Sequence, residues 1–180
     1  NISPVKGNLD IPSKFTIAPA MNPCKCGYYG DTEKDCRCAA YEVLRYQKRL
    51  SGPLLDRIDI QIHVPRVKIE ELRTSAPDRG ETLKMKEQVA NARRAQHARF
   101  HETKKKFTNS ELSSKECETF INLSPDAEQF SHRMFEKSMI SARAYYRVMK
   151  VARTIADLEA SEPVTADHLA EAFSYRVKTE

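Results

Sequence analysis

Much is missing from this chain, and the absences narrow the field before anything present does. Among its 180 residues no apolar run is long enough to span a bilayer, so no membrane partner is expected. Asn1-Ile2-Ser3-Pro4 offers neither the basic nor the apolar region of a secretory signal, and the expected compartment is the cytoplasm. There is no initiator Met, and the pattern begins midway, as expected of a piece of a longer protein. No Gly-x4-Gly-Lys-Ser/Thr phosphate loop occurs, and no apolar strand ends in paired acidic residues. Without them the chain alone is expected neither to bind Mg-ATP in the usual way nor to hydrolyse it. No internal repeat or low-complexity tract interrupts it.

The length allows one domain or two small ones. Thirty Lys and Arg stand against 25 Asp and Glu, a net charge of +5. That mild excess permits a polyanion partner without demonstrating one. The basic residues concentrate in Arg93, Arg94, Arg99, Lys104, Lys105 and Lys106, along one expected helix and its end. Phosphates could be met there, although a solvated helix face reads the same way. Phe100 and Phe107 flank the cluster without forming a platform for stacked bases.

The pattern changes near residue 65. Before it, Phe15-Thr16-Ile17-Ala18 has the composition of a short buried strand limited by Pro19. Residues 39–50 fit a helix with Val43, Leu44 and Leu50 on an apolar face. Ile58, Ile60, Ile62 and Val64 alternate with Asp59, Gln61 and His63, the period of a half-buried strand stopped by Pro65. Residues 66–80 have the composition of a linker. After it the spacing predicts a long polar helix over 81–106 and a short one capped by Asn109 and ending near Phe120. Another begins at Ser124-Pro125. A strongly amphipathic helix follows Ser141, with Ala142, Tyr145, Val148, Met149, Ala152, Ile155 and Leu158 at helical spacing. Pro163 precedes the last, over roughly 165–175. The last hundred residues are therefore expected to form a small helical bundle.

Four of the five cysteines lie in one short segment, Cys24-Lys25-Cys26 and Cys36-Arg37-Cys38, with Gly27 and Gly30 between the pairs. Two such pairs joined by a turn-rich loop can supply a tetrahedral four-thiolate zinc site, with Lys25, Lys34 and Arg37 offsetting part of the charge. Plain reduced thiols and an iron–sulfur cluster are the alternatives. Such a site would stiffen a loop and leave no open coordination position for catalysis. Cys117 is expected to be a structural thiol. Asn22, before Pro23, is either a turn former or a polar side chain within reach of a phosphate. Arg57, between Asp56 and Asp59, either pairs locally with those carboxylates or presents its planar fork to phosphates.

The run from Phe15 through Ala18-Pro19-Ala20-Met21-Asn22-Pro23-Cys24-x-Cys26-Gly27-Tyr28-Tyr29, then Cys36-x-Cys38, then Ser51-Gly52-Pro53-Leu54-Leu55-Asp56-Arg57-Ile58-Asp59, closely resembles the magnesium-chelatase-like AAA+ ATPases of the ComM/YifB type. Ser141-Ala142-Arg143-Ala144 and Val151-Ala152-Arg153-Thr154-Ile155-Ala156-Asp157-Leu158 match the same family. The resemblance implies a mainly α chain with a small α/β remnant, the C-terminal part of an AAA+ P-loop module in which short strands precede a helical lid bundle. Residues 1–65 would be the end of the ATPase core, with the cysteine insert at 23–38, 66–80 a linker, and 81–180 the lid.

It further implies a homohexamer that hydrolyses ATP with Mg2+ at subunit interfaces. Asn22 matches sensor 1, Arg57 the arginine finger given in trans, and Arg143 the lid's sensor 2, whose plain alternative is a solvated Arg near a helix start. Lys25 and Pro19 depart from the common pattern without removing a functional group. Two roles follow for the parent protein: a DNA motor on single-stranded or branched DNA, related to competence, or a chelatase-type ATPase that remodels a protein partner. The cysteine insert goes with the first. A zinc-stapled interaction module is the non-enzymatic alternative for these residues alone.

Overall fold

The computed structural model describes residues 15–67, 79–103, 106–138 and 140–176. Most of the linker expected over 66–80, together with Lys104 and Lys105, lies outside them. The chain divides into two compact units, Asn1–Arg49 and Leu50–Glu180. Among the described residues no helix is long and apolar enough to cross a membrane.

Helix carries nearly all of the regular structure, and the two expected strands do not form. Residues 15–18 and 58–64 run without strand pairing, with Phe15, Ile17, Ile60, Ile62 and Val64 all exposed. The physical reason is that a strand exists only as a member of a ladder. No neighbouring strand stands beside either segment among the described residues, so alternation alone leaves an extended chain.

In the first unit, α1 (Ala40–Gln47) is shorter than the helix expected over 39–50 and buries Val43, while Leu44 is exposed. Its N-cap, Ala39, has no side-chain acceptor. Glu42 closes half of a capping box by accepting from the Ala39 N–H at 3.2 Å.

The second unit begins with the single turn α2 (Gly52–Leu55). The long α3 (Arg79–Phe100) has its residues 80–91 exposed and turns Ala92, Gln96 and Phe100, four apart, into the core. A 3-10 turn, His101–Thr103, follows, so the α-helix ends earlier than the pattern to 106 suggests. Asn109 does not cap the next helix. It opens a 3-10 turn, Asn109–Glu111, and is itself buried, while Ser113 caps α4 (Ser114–Phe120) by accepting from the Glu116 N–H. Lys106 and Ser113 both bond to the Glu116 carboxylate and pull its pKa down to about 2.

Then come α5 (Pro125–Ser138), α6 (Ala142–Leu158) and α7 (Ala166–Ser174). Ser141 caps α6 as its position predicts, accepting from the Ala144 N–H at 3.2 Å. Val148, Met149, Ala152 and Ile155 of α6 form the spine of a core completed by Phe100, Leu112, Ile121, Ala127, Val164 and Leu169. Ala142 and Leu158, at the two ends of the expected stripe, are exposed. A parallel bridge, Leu123 with Val164, ties the entry of α5 to that of α7, with Val164 N–H on Asn122 O at 2.8 Å.

The exit of α6 holds a local strain. Ala160 has φ +54°, in the left-handed region that glycine favours. Ser161 N–H closes back on Ala156 O at 2.8 Å and Ala160 N–H on Asp157 O at 3.3 Å, the paired bonds of a Schellman ending. Ala160→Gly is therefore expected to stabilise the bundle by about 0.5–1 kcal/mol. A urea midpoint that does not rise would remove this account.

Candidate metal centre and nucleotide-sensing residues

The cysteine loop is built from two turns. Gly27 (φ +84°) and Gly30 (φ +80°) reverse the chain in a conformation that a Cβ would strain. Gly27 N–H bonds Cys24 O at 3.1 Å, Asp31 N–H bonds Tyr28 O at 3.1 Å, and Asp31 Oδ1 then accepts from Glu33 and Lys34 N–H at 2.8 and 3.0 Å. From α1, Gln47 Nε2 donates to Pro23 O at 3.2 Å, and Glu42 pairs with Lys25 at 3.3 Å.

These turns bring the four sulfurs of Cys24, Cys26, Cys36 and Cys38 within 4.8 Å of one another. Cys24 Sγ lies 3.3 Å from Cys26 Sγ and 3.7 Å from Cys36 Sγ, and Cys26 to Cys36 is 3.6 Å. A disulfide requires about 2.05 Å, whereas a tetrahedral ion with bonds of about 2.3 Å holds its sulfurs about 3.8 Å apart. The separations match the second case. All four thiols are free, and Cys24 is fully buried.

The electrostatics are those of sulfurs competing for negative charge. Backbone N–H groups of Tyr28 and Arg37 bond to the Cys26 sulfur and draw its pKa down to about 6. Burial and the Cys26 thiol push Cys24 up, but N–H groups led by Tyr29 outweigh them and the net direction is down. For Cys36 the Cys38 N–H favours the thiolate, yet lost hydration and the neighbouring sulfurs win and push it up to about 12. For Cys38 the Cys26 N–H favours the thiolate, yet the Cys26 sulfur, lost hydration and the Cys24 sulfur together outweigh it and the net direction is up. Four thiolates this close need a cation among them, and this donor set could bind a metal. Lys25 is engaged with Glu42, and Lys34 lies over the Tyr28 ring at 4.1 Å. Cys117 is a buried core thiol whose pKa burial raises.

Asn22, in the first unit, is exposed and makes no side-chain hydrogen bond among the described residues, so it does not build the local turn that an Asn before Pro can form. Arg57, in the second unit, is exposed, and its Nη1 donates to Pro53 O at 3.1 Å. The local ion pairs open to it do not form. Asp56 pairs with Arg176 at 3.2 Å and Asp59 with Arg147. Arg143 is exposed in the first turn of α6, where the positive end of the helix dipole disfavours a cation. It therefore does nothing for its own helix.

The basic cluster is divided by the fold. Arg93 and Arg94 are exposed on α3. Arg99 points inward instead, its guanidinium on both oxygens of the buried Asp157 at 3.0 and 2.5 Å, and Lys106 pairs with Glu116. Arg153 meets Asp157 from one turn back on α6 at 2.8 Å, and Asn109 Nδ2 donates to it at 2.8 Å. The i,i+4 spacing of Arg153 and Asp157 was visible in the sequence, but no local signal joins Arg99 to Asp157 or Arg147 to Asp59.

Along the chain a cysteine loop and an Arg-bearing turn thus precede a helical bundle. Residues 80–176 match the family described as magnesium chelatase, subunit ChlI C-terminal, and residues 1–72 match magnesium chelatase, subunit ChlI. The chain belongs to this magnesium-chelatase family of AAA+ ATPases. It is 38% identical over 176 residues to the competence protein ComM of Haemophilus influenzae, covering 97% of this chain and 33% of that protein. It is 33% identical over 176 residues to YifB of Escherichia coli, and 32% identical over 176 residues to YifB of Salmonella typhimurium, with 98% of this chain and 33% of the relative covered in each case. The chain thus spans about a third of the length of these relatives.

Proposed function

We propose that these residues serve an ATP- and Mg2+-dependent homohexameric AAA+ motor that moves single-stranded or branched DNA in the cytoplasm. In this reading 1–65 end the ATPase core, 66–80 link, and 81–180 form the lid. Asn22 orients the attacking water as sensor 1, Arg57 reaches the neighbouring subunit's nucleotide, and Arg143 senses nucleotide from the lid. The observation that carries the ATPase role is the exposed Arg57, whose two flanking carboxylates are both taken by other arginines. The likeness to a competence protein supports DNA as the substrate.

Zn2+ at Cys24, Cys26, Cys36 and Cys38 would staple the loop that follows Asn22. Cys24→Ser is expected to lower bound zinc from one per chain to well under half and to make the loop sensitive to proteolysis. Wild-type protein purified under reducing conditions without metal would remove the zinc assignment.

The α3 face of Arg93 and Arg94 is the proposed DNA contact. With Arg99 and Lys106 engaged in ion pairs that face is thin, which favours the second reading, remodelling of a protein partner in the manner of a chelatase ATPase. ATP turnover by the full-length protein, with and without branched DNA, decides between them. Stimulation that weakens with salt supports the motor. Turnover indifferent to DNA supports protein remodelling.

A further inference from the structure

The segment that carries Arg57 is fastened to the bundle by two guanidiniums that belong to none of the nucleotide-sensing positions. Arg147 on α6 donates through Nη1 to the main-chain carbonyl of Arg57 at 2.8 Å and to the Asp59 carboxylate. Arg176, just beyond α7, donates through Nη2 to Asp56 Oδ1 at 3.2 Å. Between them the Gln61 N–H bonds Tyr175 O at 2.7 Å, and Gln61 Nε2 closes the segment on Leu55 O at 3.0 Å.

These contacts are more than incidental surface pairs. The Arg147 side chain is 26% exposed and that of Arg176 11%. Arg147 Nε and Arg176 Nη1 are buried with no acceptor among the described residues, so both guanidiniums rely on this segment for their bonds. Asp56 and Asp59 are also the carboxylates nearest in sequence to Arg57. Held by other arginines, they leave its guanidinium to the exposed side. Finally, Arg147 follows Arg143 by four residues, so both stand on one face of α6, one turn apart.

We propose that Arg147, supported by Arg176, is a positioning residue that clamps the Arg57 segment to α6, so that Arg57 moves with the helix that bears Arg143. The inference rests on the reading of Arg57 as a finger acting on a neighbouring subunit. A helix shift of 1–2 Å, a common size for such switches, would pass through the clamp to the Arg57 main chain. Misplacement of a catalytic group by about 1 Å costs about 10²-fold in rate, so the clamp can gate turnover without touching nucleotide.

The test uses the full-length protein. Arg147→Ala is expected to lower kcat for ATP by about 10²-fold with KM within a few fold, and Arg147→Lys to recover part of it. The double variant with Arg57→Ala should be no slower than Arg57→Ala alone, because both changes remove one contribution. Independently of turnover, hydrogen exchange at the Gln61 amide and its neighbours should accelerate in Arg147→Ala while the α6 amides keep their protection. If Arg147→Ala fails to fold, Asp59→Asn, at an exposed carboxylate, serves instead, with faster exchange of the same amides and about a tenfold loss of kcat. Unchanged exchange in a folded variant overturns the clamp. So do losses that multiply in the double variant. Wild-type turnover in Arg57→Ala removes the finger reading instead, and the exchange result still judges the clamp.

Discussion

Arg57→Ala in the full-length protein is expected to lower ATP turnover by about 10³–10⁵-fold, the range that arginine fingers contribute in other NTPases. Nucleotide affinity should stay within a few fold. A finger acts on charge that develops on the transferred phosphoryl group, so its loss falls on the transition state rather than on ground-state binding. The structure removes the simplest competing role. Had Arg57 been a local ion-pair partner, Asp56 or Asp59 would hold it, and both are held elsewhere. Arg57→Lys should restore little, since an ammonium cannot offer the planar fork that meets two phosphate oxygens together. Steady-state turnover beside a direct nucleotide-binding titration separates the outcomes. Turnover near wild type in Arg57→Ala would end the assignment.

The second large effect is on stability. Asp157 is buried and receives Arg99 through both oxygens, Arg153 from the same helix and Asn109 from the 3-10 turn. Arg153 also donates to the carbonyls of Ser161 and Glu162, tying the network to the exit of α6. Burial alone would raise the Asp157 pKa, but the bonds from Arg99 and Asn109 and the charge of Arg153 outweigh it and hold it below the usual carboxylate range. Asp157→Ala is expected to cost about 3–5 kcal/mol, because it leaves two guanidiniums without their carboxylate partner inside the bundle. That corresponds to a fall of roughly 10 °C or more in the melting midpoint.

The sign of the pH dependence follows from the lowered pKa. The contribution is fully present above the unfolded carboxylate value and is lost as pH falls through the folded one. The acid limb of the wild-type stability curve should therefore be steeper than that of Asp157→Asn. A loss under 1 kcal/mol in Asp157→Ala would mean that the guanidiniums find water easily and that the network is peripheral.

Particular residues mark how far the sequence could be read. Ser141 announced its helix because a cap is a local event, settled within four residues, and Pro125 announced the one before it because its ring presets the first helical position. The paired cysteines announced their cluster because glycines between the pairs fix a turn of small reach. Asn109 misled because the cap signal is equally good at Ser113, and a buried carboxylate 48 residues away in sequence claims the Asn109 side chain. Arg99 misled for the same reason: a basic residue on a polar helix looks solvated until the partner across the bundle is known.

The sequence by itself determined the helical character of the C-terminal region, most helix starts and the four-thiol cluster, since each rests on periodicity, capping or short spacing, and it carried the family through the resemblance of its motifs. Only the tertiary structure decided which arginines hold distant carboxylates and which hold none. Arg99, Arg147 and Arg176 meet carboxylates far from them in sequence, while Arg57 and Arg143 remain exposed. It likewise decided that residues 15–18 and 58–64 form no strand. The reason is common to both. A charge pair or a β-ladder is completed by a partner that chain folding brings near, and no spacing along the sequence encodes that distance.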